Sequence, residues 1–194
     1  MRIVAAGIGA VIGVCVTSGQ AEAFSVSYDQ KVTQGTQVVN SKVIMKDEMF
    51  RVEAMVEGQE TVTLRTPKGT YTYLPKEGMA MKVPELSPSQ RPVEHADDYQ
   101  QYLKERQAQR IGAETVDGHP CDIYRFTEPS AGGTVTAWVW TEKQFPVKME
   151  IDAPGGKVLV ELTNIQLVIP IADNVFELPA GVQIMDIGAL MGGR

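Results

Sequence analysis

Between residues 49 and 66 the chain reads MFRVEAMVEGQETVTLRT, and apolar and polar residues alternate through it almost one for one. In MFRVEAMV the apolar side chains Phe50, Val52, Ala54 and Val56 are interleaved with the charged Arg51 and Glu53. A period of two suits a strand with one face buried and one face wet, and it suits no helix. ETVTLRT repeats the pattern with Val62 and Leu64, and Glu57-Gly58-Gln59 reads as a short glycine-containing hairpin connection. Pro67-Lys68-Gly69 and Pro75-Lys76-Glu77-Gly78 punctuate the next two runs, TYTYL and MAMKV. Successive short strands at this spacing predict an antiparallel meander.

SVSYDQKVTQ and QVVNSKVIMKD precede it, and CDIYRF, TVTAWVW, VKMEI and KVLVELTNIQLVI follow, separated by AGG at 131–133 and PGG at 154–156. Nine or ten strands result. One long helix is predicted, from His95 to Ile111, with Ala96, Tyr99 and Leu103 at helical spacing and Gly112 just past its end. Its acidic start, Glu94, Asp97 and Asp98, suits a helix dipole and a solvated face. With 194 residues, 43% of them hydrophobic and 22% charged, the chain can bury a core and does not have the composition of a disordered one. A formal net charge of -6 excludes an electrostatic grip on nucleic acid or on anionic lipid headgroups, both of which need clustered Lys and Arg.

The N-terminus reads as an export signal cleaved from a single domain at 24–194. Met1-Arg2 is positively charged, Ile3 to Val16 is apolar, and Ala21-Glu22-Ala23 is a small-x-small cleavage site, so a periplasmic protein beginning at Phe24 is expected. The apolar run is shorter than the roughly 20 residues of a stable membrane span, and no later stretch approaches that length. Cys15 offers a second reading, cleavage before a lipidated cysteine, although Val14 stands where such signals place a small residue. After cleavage at Ala23, Cys121 is the one cysteine left and a buried thiol is expected.

TAWVWTEKQFPVKMEI, residues 136–151, holds both tryptophans of the chain. In TVTAWVW, Trp138 and Trp140 share one face while Val135, Ala137 and Val139 share the other. A strand apolar on both faces is covered on both, or lines an apolar cavity. Periodicity leaves core and pocket open. In a pocket, Trp138 and Trp140 are expected to face the same side as Val147, Met149 and Ile151 of the next strand, joined by Phe50, Val52 and Leu64 from the first meander.

The ending NVFELPAGVQIMD, with Phe176, Leu178, Pro179 and Gly181 in a Phe-x-aliphatic-Pro-x-Gly pattern, resembles the closing motif of the LolA-like fold superfamily of periplasmic lipoprotein carriers. MFRVEAMVEGQETVTLRTPKGTYTYLP resembles that family's first meander, and VDGHPCDIYRF with WTEKQFPVKMEI its later hairpins. The likeness spans nearly the whole of the expected mature chain, and is nearest to the small exported domains of unknown function with that fold. It implies a mainly β fold with one or two helices: a strongly curved antiparallel sheet, or incomplete β-barrel, with a helix at its mouth and a concave face able to hold acyl chains. The final IGALMGGR departs from a dedicated carrier's ending.

Signs of catalysis are sparse. His119-Pro120-Cys121 has only His95 as a second histidine and no spacing of a metal or nucleophile motif, so neither enzyme nor cofactor is expected, and His119 reads as part of a turn opened by Asp117-Gly118. Met45, Met49, Met55, Met79, Met81 and Met149 invite a soft-metal reading, but methionine is an ordinary lining of cores and adaptable apolar pockets. With the export signal, the resemblance implies a non-enzymatic periplasmic carrier or chaperone that holds a lipid or an acylated protein, with Met79 and Met81 added to the lining named above. The alternative is an envelope sensor or assembly module whose sheet is filled by its own side chains.

Overall fold

Two-residue turns decide which side chains share a face. At Glu57-Gly58 both residues have positive φ, 52° and 81°, the signature of a tight turn whose twist matches that of the strands it joins. Val56 therefore pairs with Gln59, and Arg51, not Val52, lies opposite Leu64. The connection is one residue shorter than Glu57-Gly58-Gln59. That single residue sends the apolar side chains of the two strands to opposite faces. Asp117-Gly118 is a second such turn, with φ of 48° and 79°, and His119 is the first residue of the following strand, paired with Val116.

A computed structural model describes residues 24–83, 96–129 and 132–186, with the backbone alone for 96–98. The expected export signal, Cys15, Glu94, His95, Ala131, the side chains of Ala96, Asp97 and Asp98, and the tail IGALMGGR lie outside these described residues. Six strands come first: β1 Ser25–Gln34, β2 Gln37–Lys46, β3 Met49–Val56, β4 Gln59–Thr66, β5 Gly69–Leu74 and β6 Met79–Val83. Helix α1, Ala96–Glu105, separates them from β7 Gln109–Val116, β8 His119–Glu128, β9 Gly133–Trp140, β10 Phe145–Ala153 and β11 Gly156–Leu167. A 3-10 turn at Asp173–Phe176 leads to β12 Gln183–Asp186.

All twelve strands form one open, curled sheet in the order β12-β6-β5-β4-β3-β2-β1-β11-β10-β9-β8-β7. The two meanders meet where β1 pairs with β11, and every neighbouring pair is antiparallel except β12 with β6.

Helix α1 is shorter than the expected His95–Ile111. Gln107 adopts a positive φ of 52°, and the Ala108 amide donates to the Leu103 carbonyl at 2.8 Å, so the chain turns out of the helix and Gln109 enters β7. Gly112 lies in β7, beside a register shift after Arg110, and is not a helix cap. Both this strand and β12 escape the alternation rule, because each lies at an edge and is exposed along most of its length.

One face carries the helix. Tyr99 and Leu103 of α1 belong to a core cluster that includes Val26 and Tyr28 (β1), Val43 and Met45 (β2), Phe50 (β3), Phe126 (β8), Ala137 and Val139 (β9), Met149 (β10) and Val160 (β11). Tyr28 meets Phe145 edge-on with ring centroids 6.0 Å apart, and Tyr102 meets Phe126 at 5.5 Å. Burial pushes the phenols of Tyr28 and Tyr99 well above the usual tyrosine range. The Tyr102 hydroxyl donates to Glu128, which also pairs with Arg106 at 3.1 Å, fastening the end of the helix to β8.

The opposite face is covered over β2–β6 by the segment leading to β12. The Lys46 ammonium donates to the Ile171 carbonyl at 3.0 Å, and the Arg51 guanidinium to the Val175 carbonyl at 3.3 Å. Leu178 and Val182 pack on Val62, Leu64, Tyr73 and Ala80. Phe176, the aromatic residue of the closing motif, is 1% exposed.

Candidate functional site

The ten residues picked out by pattern do not form one lining. Phe50, Val52, Met79, Met81, Met149 and Ile151 lie on the helix-bearing face. Leu64, Trp138, Trp140 and Val147 lie on the other, Leu64 beneath the C-terminal segment. For Leu64 the cause is the two-residue turn. For Val147 it is a β-bulge: β10 shifts register between Pro146 and Lys148, so Val147 turns toward Trp138 and Cys121 while Met149 pairs with Ala137 beneath the helix.

The tryptophans pack as part of a second, smaller core. Trp138 is 8% exposed and gathers with Cys121 and Val147, with Ile123, Trp140 and Ile165 around them. Its indole N–H donates to the Glu114 carboxylate at 2.8 Å, and the Lys148 ammonium sits 4.2 Å above its ring. His119 lies 4.0 Å from the ring of Trp140, centroid to centroid. These contacts give each indole a polar cap on the wet side of the sheet, as amphipathic aromatic rings require. Cys121 is buried, donates to the His119 carbonyl at 3.1 Å, and has its thiol pushed upward by burial, the reverse of what an activated nucleophile needs. Among the described residues no three His, Cys, Asp or Glu side chains come together as metal ligands.

A groove of about 700 Å³ also lies on this second face, between β11 and β4. Lys31, Lys42, Glu53, Glu60 and Glu161 line it, and Lys31 pairs with Glu161 across 3.2 Å. A twisted sheet is saddle-shaped, so each face has a trough along one diagonal; the helix fills one trough and this groove is the other. It holds none of the ten predicted residues.

The helix-bearing face changes character from one side of the sheet to the other. One row of paired residues crosses seven strands: Tyr28, Val43, Val52, Thr63, Thr72, Met81 and Met185. Tyr28 is 1% exposed and Val43 fully buried, Val52 to Met81 are partly buried, and Met185 is 44% exposed. Leu74 and Met79 form the neighbouring pair. Four predicted residues, Phe50, Val52, Met79 and Met81, thus belong to one continuous strip whose far side is only partly covered. Thr63, Thr72 and Met185 did not stand out, because their place in the row depends on strand register, which the Glu57-Gly58 turn and the pairings beyond it set and the alternation alone does not.

No family model matches the chain, and no curated protein matches it significantly. Among solved structures, the Pseudomonas aeruginosa MucA/MucB complex includes a chain that overlaps with a TM-score of 0.53 at 14% identity, covering 84% of this chain and 58% of that one. LprF from Mycobacterium bovis overlaps at 0.51 with 16% identity, covering 80% and 89%. A LolA superfamily protein from Nitrosomonas europaea overlaps at 0.37 with 14% identity, covering 80% and 90%, too low to carry weight by itself. This chain therefore spans about 58% of the MucA/MucB complex chain it matches. Identities this low speak to fold alone. The architecture, one open curled sheet with a helix on one face, is thus the fold shared with the MucA/MucB complex chain and with LprF.

Proposed function

We propose that this domain is a non-catalytic binder of an apolar chain, a lipid or the acyl group of a lipidated protein, in the periplasm after cleavage at Ala23. The row from Tyr28 to Met185 carries the reading, because it runs out from beneath the helix into partly open sheet and, across the methyl-bearing Thr63 and Thr72, returns to apolar surface at Met81 and Met185. Val52, Leu74, Met79 and Met81 offer methyl and thioether surface there, and methionine adapts to chains of differing shape. Each methylene moved from water onto such a surface contributes about 0.8 kcal/mol. No helix among the described residues is long and apolar enough to cross a membrane.

The test is titration of the purified domain with a fluorescent fatty acid, together with mass spectrometry of the native protein for co-purified lipid. Saturable binding that Met81→Lys weakens at least tenfold supports the proposal. Absence of binding, and of bound lipid, contradicts it.

A second reading is favoured by the other half of the sheet, where the domain's own aromatic residues fill the space under the helix and the tryptophans pack into a second, smaller core on the opposite face. On that reading the domain is an envelope interaction module, and a partner protein occupies its surface. MucB is known in complex with MucA, a precedent for a protein partner on this fold.

A further inference from the structure

The row that begins at Tyr28 is closed at one end and open at the other. Val43 is fully buried, Val52 packs partly buried against the core beneath the helix, and Met185, on the edge strand β12, is 44% exposed. Room along the row therefore stops at β3 and opens at β12.

Charge sets the direction of any chain lying there. Two residues along each strand, on the same face, Ala54, Thr61, Leu74, Met79 and Gln183 form a parallel row. Neither row holds an ionisable side chain, whereas the row on the other side, through Phe50, carries Arg65. An alkyl chain that crosses the strands between the two uncharged rows meets no charge, and one that follows β4 toward Thr66 meets a guanidinium. Crossing is the path that buries methylenes alone.

We infer that this strip is a ruler: a single alkyl chain enters at β12, crosses β6, β5 and β4, and ends against Val52, so that chain length is the property selected. The inference rests on the proposed chain-binding role and adds to it the ligand's direction and length. Neighbouring strands stand about 4.8 Å apart, so the path from Met185 through Met81, Thr72 and Thr63 to Val52 spans roughly 19 Å. An extended residue of three bonds covers about 3.6 Å, hence about 1.2 Å per bond, and the path accommodates about 16 carbons. A plug at Val52 shortens it by one strand, to about 12 carbons, and a plug at Thr63 by two, to about 8.

Displacement of a fluorescent fatty acid from the whole mature chain by octanoate, dodecanoate, hexadecanoate and icosanoate tests it. Affinity should rise at least tenfold at each of the first two steps, since every added methylene leaves water, and less than twofold from hexadecanoate to icosanoate. Val52→Phe should move the plateau to dodecanoate, and Thr63→Phe to octanoate. Octanoate reaches only as far as Thr72, so both variants should bind it as the native protein does, which also reports that they are folded. A steady rise through icosanoate, or a plateau that stays at hexadecanoate in both variants, overturns the ruler while leaving chain binding intact. Equal loss of octanoate and hexadecanoate in both variants does the same, because the path then does not begin at β12. Failure of every acid to displace the probe, with no saturable binding of the probe itself, overturns the chain-binding role and the ruler with it.

Discussion

Under the helix, the sheet face is built of Tyr28, Phe126, Phe145, Val139 and Val160; across β3 to β6 the same face is built of Val52, Thr63, Thr72, Leu74, Met79 and Met81. Both regions belong to one sheet, with strands continuous through hydrogen bonding, yet they solve different problems. Large rings fill a fixed volume between sheet and helix and pack into one arrangement. Threonine and methionine make a surface that tolerates water and still accepts apolar contact. The difference shows that a curled sheet need not be uniformly core or uniformly cavity. Here the helix closes the face over the second meander with β1 and β2, whereas from β3 onward the same face of the first meander is only partly buried.

If the closed region is true core, truncating it should be costly. Phe145→Ala should lower stability by about 3–5 kcal/mol, read from urea unfolding followed by far-ultraviolet circular dichroism. A loss below 1 kcal/mol would mean that the ring lines a cavity after all.

The same region sets the alkaline limit of the fold. Burial raises the phenols of Tyr28, Tyr99 and Tyr102 in the folded state, so folding favours their protonated forms. The stabilisation is complete below the unfolded phenol range near 10 and declines as pH rises past it, since the unfolded chain gives up those protons first. Absorbance at 295 nm should show three tyrosines ionising only as the protein unfolds. Their ionisation in a still-folded protein would contradict the burial.

Gly58→Val tests the turn that divides the faces. A β-branched residue at a φ of 81° is strained by about 1–3 kcal/mol, and a substitution at Gln59, outside the turn, should cost much less. Equal tolerance at both positions would mean that the turn does not set the β3–β4 register.

Much of this fold was legible in the sequence. Ten of the strands follow from alternation and from Gly and Pro punctuation, and the closing Phe176-Leu178-Pro179 pattern marks the segment that covers the second face. The misplaced site residues share one origin. Alternation reports parity within a strand, whereas the face on which that parity falls depends on turn length and on bulges. One residue fewer at Glu57-Gly58 moved Leu64 away from Phe50, and one extra residue at Val147 parted it from Met149. Edge strands β7 and β12 have no buried face to write a pattern.

The tryptophans sharpen the comparison by a smaller effect. Trp140→Glu should lower stability by about 1–2 kcal/mol, since the indole is partly exposed and borders its cluster. It should leave fatty-acid affinity unchanged, because the residue lies on the opposite face. A tenfold loss of affinity without loss of stability would place the ligand on the tryptophan side.

The most direct measurement follows the methionine methyl groups by NMR while dodecanoate is added to the full mature chain. Met79, Met81 and Met185 are spread over the open part of the helix-bearing face, whereas Met45 and Met149 are buried with the helix. The account predicts saturable shifts at the first three and little change at the other two. Shifts centred on Met45 and Met149, or none that saturate, would contradict it.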